Sequence, residues 1–283
     1  MKKIFCLLLL SCFALTGCSS EISPEEADDI AADLRAYEGN INRISELKVK
    51  SKSTLHNKGT SNRQLIDNKH NETLTYELST RFNYIHYFSS TSETDKVEEI
   101  SNLSETEQWI YMKKKTLIKA TRTKTKGSEN KTYTKVENYS SAYKVFSTLF
   151  DAYLLKAYEQ ARGTSFLDTS VFSKYLERYE NNLVYAAKFY SSGSGNFRIV
   201  GGAKLDSSDE NSNNAKGVGT LSCSWNNYLL KSANLAFTLS LGDGTNKNDL
   251  KTDVAVSENV SKFIIPTYPN LSSFSESSMS SIF

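Results

Sequence analysis

A chain of 283 residues with 34 basic against 32 acidic side chains is close to neutral, and Lys2 and Lys3 alone account for its formal charge of +2. That balance excludes the basic footprint of a nucleic-acid-binding protein, and four cysteines are too few for a disulfide-stapled scaffold. The length suffices for one large domain or two small ones, and with only three prolines and no Pro- or Gly-rich linker, one domain is the simpler expectation.

The chain opens with two lysines and an almost wholly apolar run from Ile4 to Leu15. A membrane-spanning helix needs roughly 20 such residues, so the run reads as an export signal. Leu15, Thr16, Gly17 and Cys18 follow, and this tetrapeptide resembles the lipobox of bacterial lipoproteins. The resemblance implies cleavage between Gly17 and Cys18, a diacylglyceryl group on the Cys18 sulfur and acylation or retention of the new amino terminus. Two acyl chains hold a protein stably on a membrane where one does so only marginally. Residues 1–17 are then a signal peptide and 18–23 a lipidated tether. The first partner is a membrane surface outside the cytoplasm, in the cell membrane or outer envelope. Loss of two lysines leaves 32 basic and 32 acidic residues, and Cys18 and Cys223 are the cysteines that remain. Cys223 reads as a small buried hydrophobe on a strand.

Ser23, Pro24 and Glu26 form a capping-box helix start, followed by Ala27, Ile30, Ala31, Leu34 and Tyr37 at helical spacing. From Ile44 to Asn138 the period changes to two, which predicts at least four antiparallel strands separated by polar turns. Within this stretch the even positions of residues 72–88 read as one aromatic face: Leu74, Tyr76, Leu78, Thr80, Phe82, Tyr84, His86 and Phe88. Seven basic residues between Lys113 and Lys126 fit a solvated or edge-protecting strand face, or contact with lipid headgroups.

The strongest helical pattern spans 141–161, through Ala142, Phe146, Leu149, Phe150, Tyr153, Leu154, Ala157, Tyr158 and Ala161, with Ser140 or Ser141 as its cap. A shorter helix is predicted around Val171 to Tyr179. Strand patterns resume from Asn182, with a tight turn at Asn226-Asn227 and a last short strand in "SKFIIP". Residues 24–271 are expected to form the folded domain, and the Ser-rich end, 272–283, a frayed tail.

In element order the chain resembles the LolA, LolB and LppX type of lipoprotein carrier. That resemblance implies an α+β fold, a strongly curved antiparallel sheet forming an incomplete β-barrel with helices covering its concave face. It also implies that acyl chains enter the space between sheet and helices. Residues placed to line such a cavity are Tyr76, Phe82, Tyr84 and Phe88 on the strands, with Phe146, Leu149, Phe150 and Tyr153 on the helix.

No chemistry-bearing motif competes with this expectation. "SSGSGN" does not fit the GxSxG nucleophile elbow, and neither Gly-rich stretch has the spacing of a phosphate loop. His56, His70 and His86 form no metal-binding pair at helical spacing, and the acidic loops lack the EF-hand order. The expectation is a non-enzyme without cofactor or metal, anchored at Cys18 and holding a hydrophobic ligand, a lipid by preference. The alternative is a surface-exposed structural or adhesion-type lipoprotein with a packed core and no ligand, for which an interior at ordinary protein density would speak.

Overall fold

The computed structural model describes residues 20–22, 29, 44–61, 63–164, 183–193, 195–207, 215–226, 229–242 and 250–278. The lipobox, the helix expected after Ser23 apart from Asp29, and the one expected around Val171 lie outside these residues.

The described strands form a single open sheet. In chain order they are β1 (Ser20–Ile22), β2 (Glu46–Ser61), β3 (Gln64–Ser79), β4 (Tyr84–Asp95), β5 (Ile100–Lys113), β6 (Thr116–Thr125), β7 (Ser128–Val136), β8 (Leu183–Ser191), β9 (Phe197–Ser207), β10 (Ala215–Asn226), β11 (Leu229–Leu241), β12 (Leu250–Ser261) and β13 (Ser275–Glu276). Across the sheet they run β1-β8-β9-β10-β11-β12-β2-β3-β4-β5-β6-β7-β13. Every neighbouring pair is antiparallel except β13 with β7. The hinge of this order is β12, which pairs with β2 from Ser261↔Lys48 to Leu250↔Gly59 and so joins the late strands to the early ones.

One helix is described, α1 (Tyr139–Thr164). Its Ala142, Phe146, Phe150, Leu154 and Ala157 are buried at the expected i, i+4, i+8 spacing. They pack on Leu47 and Val49 of β2, Tyr76 and Leu78 of β3, Ile85 of β4, Ile110 of β5, Leu117 of β6 and Val136 of β7, and the same cluster takes in Cys223 and Trp225 of β10 and Ala233 of β11. The cap is Asn138, whose Oδ1 accepts from the Ser141 backbone N–H, rather than Ser140 or Ser141.

The expected α+β class is overturned. Among the described residues strands predominate and one helix lies against them. A 26-residue helix is about 39 Å long at about 1.5 Å per residue, whereas 13 strands about 4.8 Å apart extend about 58 Å. The helix lies chiefly against β2, β3, β5, β6, β7 and β12, so its main cover falls on the early strands and β12. The cover on the opposite face has no regular secondary structure over residues 262–270.

This cover is a C-terminal strap, residues 262–276. Pro266 and Pro269 cannot donate to a ladder, which is why "SKFIIP" does not continue as a strand. The strap buries Ile264 and lays Leu271 and Phe274 against Tyr84, Trp109, Tyr111, Ile118 and Ala120 of β4, β5 and β6. A 3-10 turn over Leu271–Ser273, capped by Asn270, leads into β13, where Ser275 pairs with Thr132 and Glu276 with Tyr133. The expected frayed tail is thus docked as far as Glu276, and Ser20–Ile22 of the expected tether form β1 against β8.

Candidate functional site

The residues expected to line one cavity are divided between two faces. Leu78 pairs with Ile85 across the turn at Thr80–Asn83, so side chains of even number face the helix on β3 and away from it on β4. The turn itself is fixed by Asn83 at φ +45 and by the Phe82 backbone N–H donating to Ser79 Oγ at 3.2 Å. Tyr76 is buried under α1, Tyr84 is buried under the strap, Phe88 shares the Tyr84 face and is half-buried, and Phe82 sits exposed in the turn.

On the helix side, Phe146, Leu149, Phe150 and Tyr153 belong to the same packed cluster as Tyr76. They fill the space rather than surround it. Phe146 and Phe150 are 2% and 4% exposed, with ring centroids 6.0 Å apart. Tyr87 stands between Tyr76 at 5.0 Å and Tyr153 at 6.2 Å, and the Tyr153 hydroxyl donates to Gln108 Oε1. Burial raises the Tyr76 phenol to about 12, so it stays protonated.

On the strap side, charged groups alternate across five strands. Lys48 pairs with Glu77 Oε1, and Glu77 Oε2 lies 3.4 Å from His86 Nδ1. His86 Nε2 lies 3.0 Å from Glu107 Oε1, and Glu107 Oε2 lies 3.1 Å from Arg122 Nη2, which also reaches Glu105 at 3.4 Å. The order follows from register, since Lys48, Glu77 and His86 are directly opposed across β2, β3 and β4.

Burial pushes the Glu77 carboxyl up, but His86 and Lys48 outweigh it and hold the group at about 2. For His86 burial acts downward, and Glu107 and Glu77 overcome it, so its value lies above the usual 6.5. The two carboxylates thus favour the charged form of the imidazole between them. Above it lies Trp109, stacked on the His86 ring at 5.5 Å, with Phe274 of the strap edge-on to Trp109 at 6.2 Å. The strap is also tied by Tyr84, whose hydroxyl donates to the Thr267 carbonyl at 2.8 Å and accepts from the Thr267 N–H at 3.2 Å. The result is a chain of alternating charges from Lys48 to Glu105 roofed by aromatic rings. It reads as a structural network.

Beyond the strap, the same face continues over β2, β12, β11, β10 and β9 as a shallow trough of about 550 Å³. Its lining side chains are mostly small, with Thr54, Thr220, Ser222, Asn234 and Ser257 and the longer Lys52 set among Val200, Ala236 and Ala255, so that most of its open surface is apolar. The strand parity that places Cys223 and Trp225 in the core turns Ser222 and Thr220 outward into the trough. Sequence reasoning passed over these residues because Ser, Thr and Asn on a wetted strand face carry no motif.

Cys223 is 1% exposed beside the helix-side core. Among the described residues no group of three or more His, Cys, Asp or Glu side chains is placed to hold a metal ion. No described helix is long and apolar enough to cross a membrane, which says nothing of strands.

No family model matches the chain. No curated protein matches it in sequence. Among solved structures, the translocator domain of the autotransporter NalP from Neisseria meningitidis aligns at 9% identity, covering 83% of this chain and 95% of that one with a TM-score of 0.15. A score that low establishes no shared fold.

Proposed function

We propose that this protein is a lipid-anchored, extracytoplasmic interaction protein that works by displaying its sheet rather than by enclosing an acyl chain. The observation that carries this reading is the filled space under the helix. Phe146 and Phe150 are almost completely buried against Leu47, Tyr76, Leu78 and Ile85. The lipobox-like Leu15 to Cys18 supports the anchor. The trough offers a partner an open surface in which hydroxyls, an amide and a single lysine stand beside the exposed apolar atoms of Val200, Ala236 and Ala255. No catalytic role is assigned to any residue.

The test is lipid extraction from protein purified without detergent, followed by titration with fatty acid and phospholipid. The expected result is no stoichiometric lipid and no saturable uptake. One tightly held lipid per chain, lost on Phe150→Ala, would return the function to a carrier of hydrophobic ligands.

A further inference from the structure

The hydrogen-bond register places one set of turns and strand ends at the same end of the sheet. Glu46 opposes Ser79, Tyr84 opposes Tyr111, and Lys113 opposes Thr116, so the β3–β4 and β5–β6 turns lie side by side. Ser261 at the end of β12 opposes Lys48, which brings the start of the strap to this end too. On the other half of the sheet, Ser191 opposes Phe197 and Ser20 opposes Ser191. β1 runs away from this end as it proceeds from Ser20 to Ile22, so Ser20, two residues after Cys18 in the chain, lies at this same end.

The side chains presented there are unlike those of an ordinary set of turns. Arg81, Lys113, Lys114, Lys115 and Lys262 are all exposed, against Glu46 and Glu137. Exposed apolar groups neighbour them along the chain: Phe82 at 36% follows Arg81, and Phe263 at 73% and Ile265 at 67% follow Lys262. Two-residue hairpin turns favour Asn and Gly at positive φ, yet Lys114 occupies that conformation at φ +58 between two further lysines. Among the described turn residues of the opposite end, Arg63, Lys96 and Lys126 are balanced in number by Asp95, Glu98 and Glu99.

We propose that this basic and aromatic rim docks on an anionic membrane surface, so that the sheet stands with its strands directed away from the bilayer and its far end projecting outward. The inference rests on the lipid-anchor reading for its approach to the membrane and goes beyond it by fixing which end faces the bilayer. Lysines supply attraction to anionic headgroups, about fivefold in partition for each one near the surface. Phe263, Ile265 and Phe82 reach the interface, where exposed apolar side chains among cations gain by partial burial. An anchor at Cys18 would hold this rim against the surface at high effective concentration, so even individually weak contacts would orient the molecule.

The test uses the full chain, processed in cells, purified in detergent and reconstituted into phosphatidylcholine vesicles with or without phosphatidylglycerol, each carrying brominated acyl chains. Flotation reads the anchor, and quenching of tryptophan fluorescence reads the rim. Phe263→Trp, at an exposed site, should be quenched at least twofold more than the parent protein in anionic vesicles. Val97→Trp, at the far end and 48% exposed, should match the parent. Replacing Lys113, Lys114 and Lys115 together by Glu should remove the extra quenching while the protein still floats. A floating Phe263→Trp protein quenched no more than its parent overturns the docking and leaves the anchor standing. If the protein does not float, the anchor reading fails on its own. The same readout on added vesicles then decides the rim, with quenching confined to anionic vesicles supporting it and no quenching overturning it.

Discussion

Replacing Glu77 by Gln should remove a defined part of the protein's acid sensitivity. In the folded protein Glu77 titrates at about 2 rather than its usual 4.5. At about 1.4 kcal/mol per tenfold change in acidity, that difference is on the order of 3 kcal/mol of stability. The sign follows from the direction of the displacement. A depressed carboxyl stabilises the fold fully above about pH 4.5, and the contribution is lost as pH falls through the folded value. At pH 3 the unfolded carboxyl is almost wholly protonated and the folded one is not, so about 2 kcal/mol of the total has gone. Urea denaturation of wild type and Glu77→Gln at pH 7 and pH 3, followed by the fluorescence of Trp109 and Trp225, isolates the difference. Wild type should lose about 2 kcal/mol more than the variant between the two pH values. Equal losses would refute the view that Lys48 and His86 hold Glu77 charged in the fold.

Other consequences follow from the same contacts. His86 is displaced upward, so its contribution is complete below about pH 6.5 and fades as pH rises through its folded value; His86→Gln should flatten the stability profile on the alkaline side in the same denaturation series. Phe150→Ala should cost about 3–5 kcal/mol, seen as a lower thermal midpoint, because a fully packed ring leaves a cavity. Tyr84→Phe removes the tie to Thr267 at a cost of about 1 kcal/mol, and exchange of the strap's backbone hydrogens should quicken. Lys114→Gly relieves the positive φ of the β5–β6 turn and should stabilise the fold by up to about 1 kcal/mol in urea denaturation.

The helix and the strands were legible because each has a period that side-chain chemistry must follow. Phe146, Phe150, Leu154 and Ala157 could only form one stripe on a helix, and β2, with Leu47, Val49 and Ser51 on the core side, alternates as a half-wetted strand does. The aromatic face was misread for a specific reason. Residues 72–88 were read as one strand, whereas the turn at Thr80–Asn83 reverses the chain and changes which parity faces the helix. Tyr84 therefore left the set containing Tyr76, and no composition rule reveals a change of parity without locating the turn. The strap escaped notice because its apolar residues carry no period once Pro266 and Pro269 interrupt them. The charged chain from Lys48 to Arg122 depends on the register of five strands, which only their pairing supplies. The α+β expectation failed because element order said little about how far one helix could extend across 13 strands.

The most direct test of an anchored protein with a closed core is the intact mass of the full chain extracted from cell membranes, measured first under native and then under denaturing conditions. The account predicts a chain that begins at Cys18 and carries covalent acyl groups that persist on denaturation, with no further lipid mass under native conditions. A chain that retains residues 1–17 or lacks covalent lipid would contradict the anchor, and one lipid lost only on denaturation would contradict the closed core.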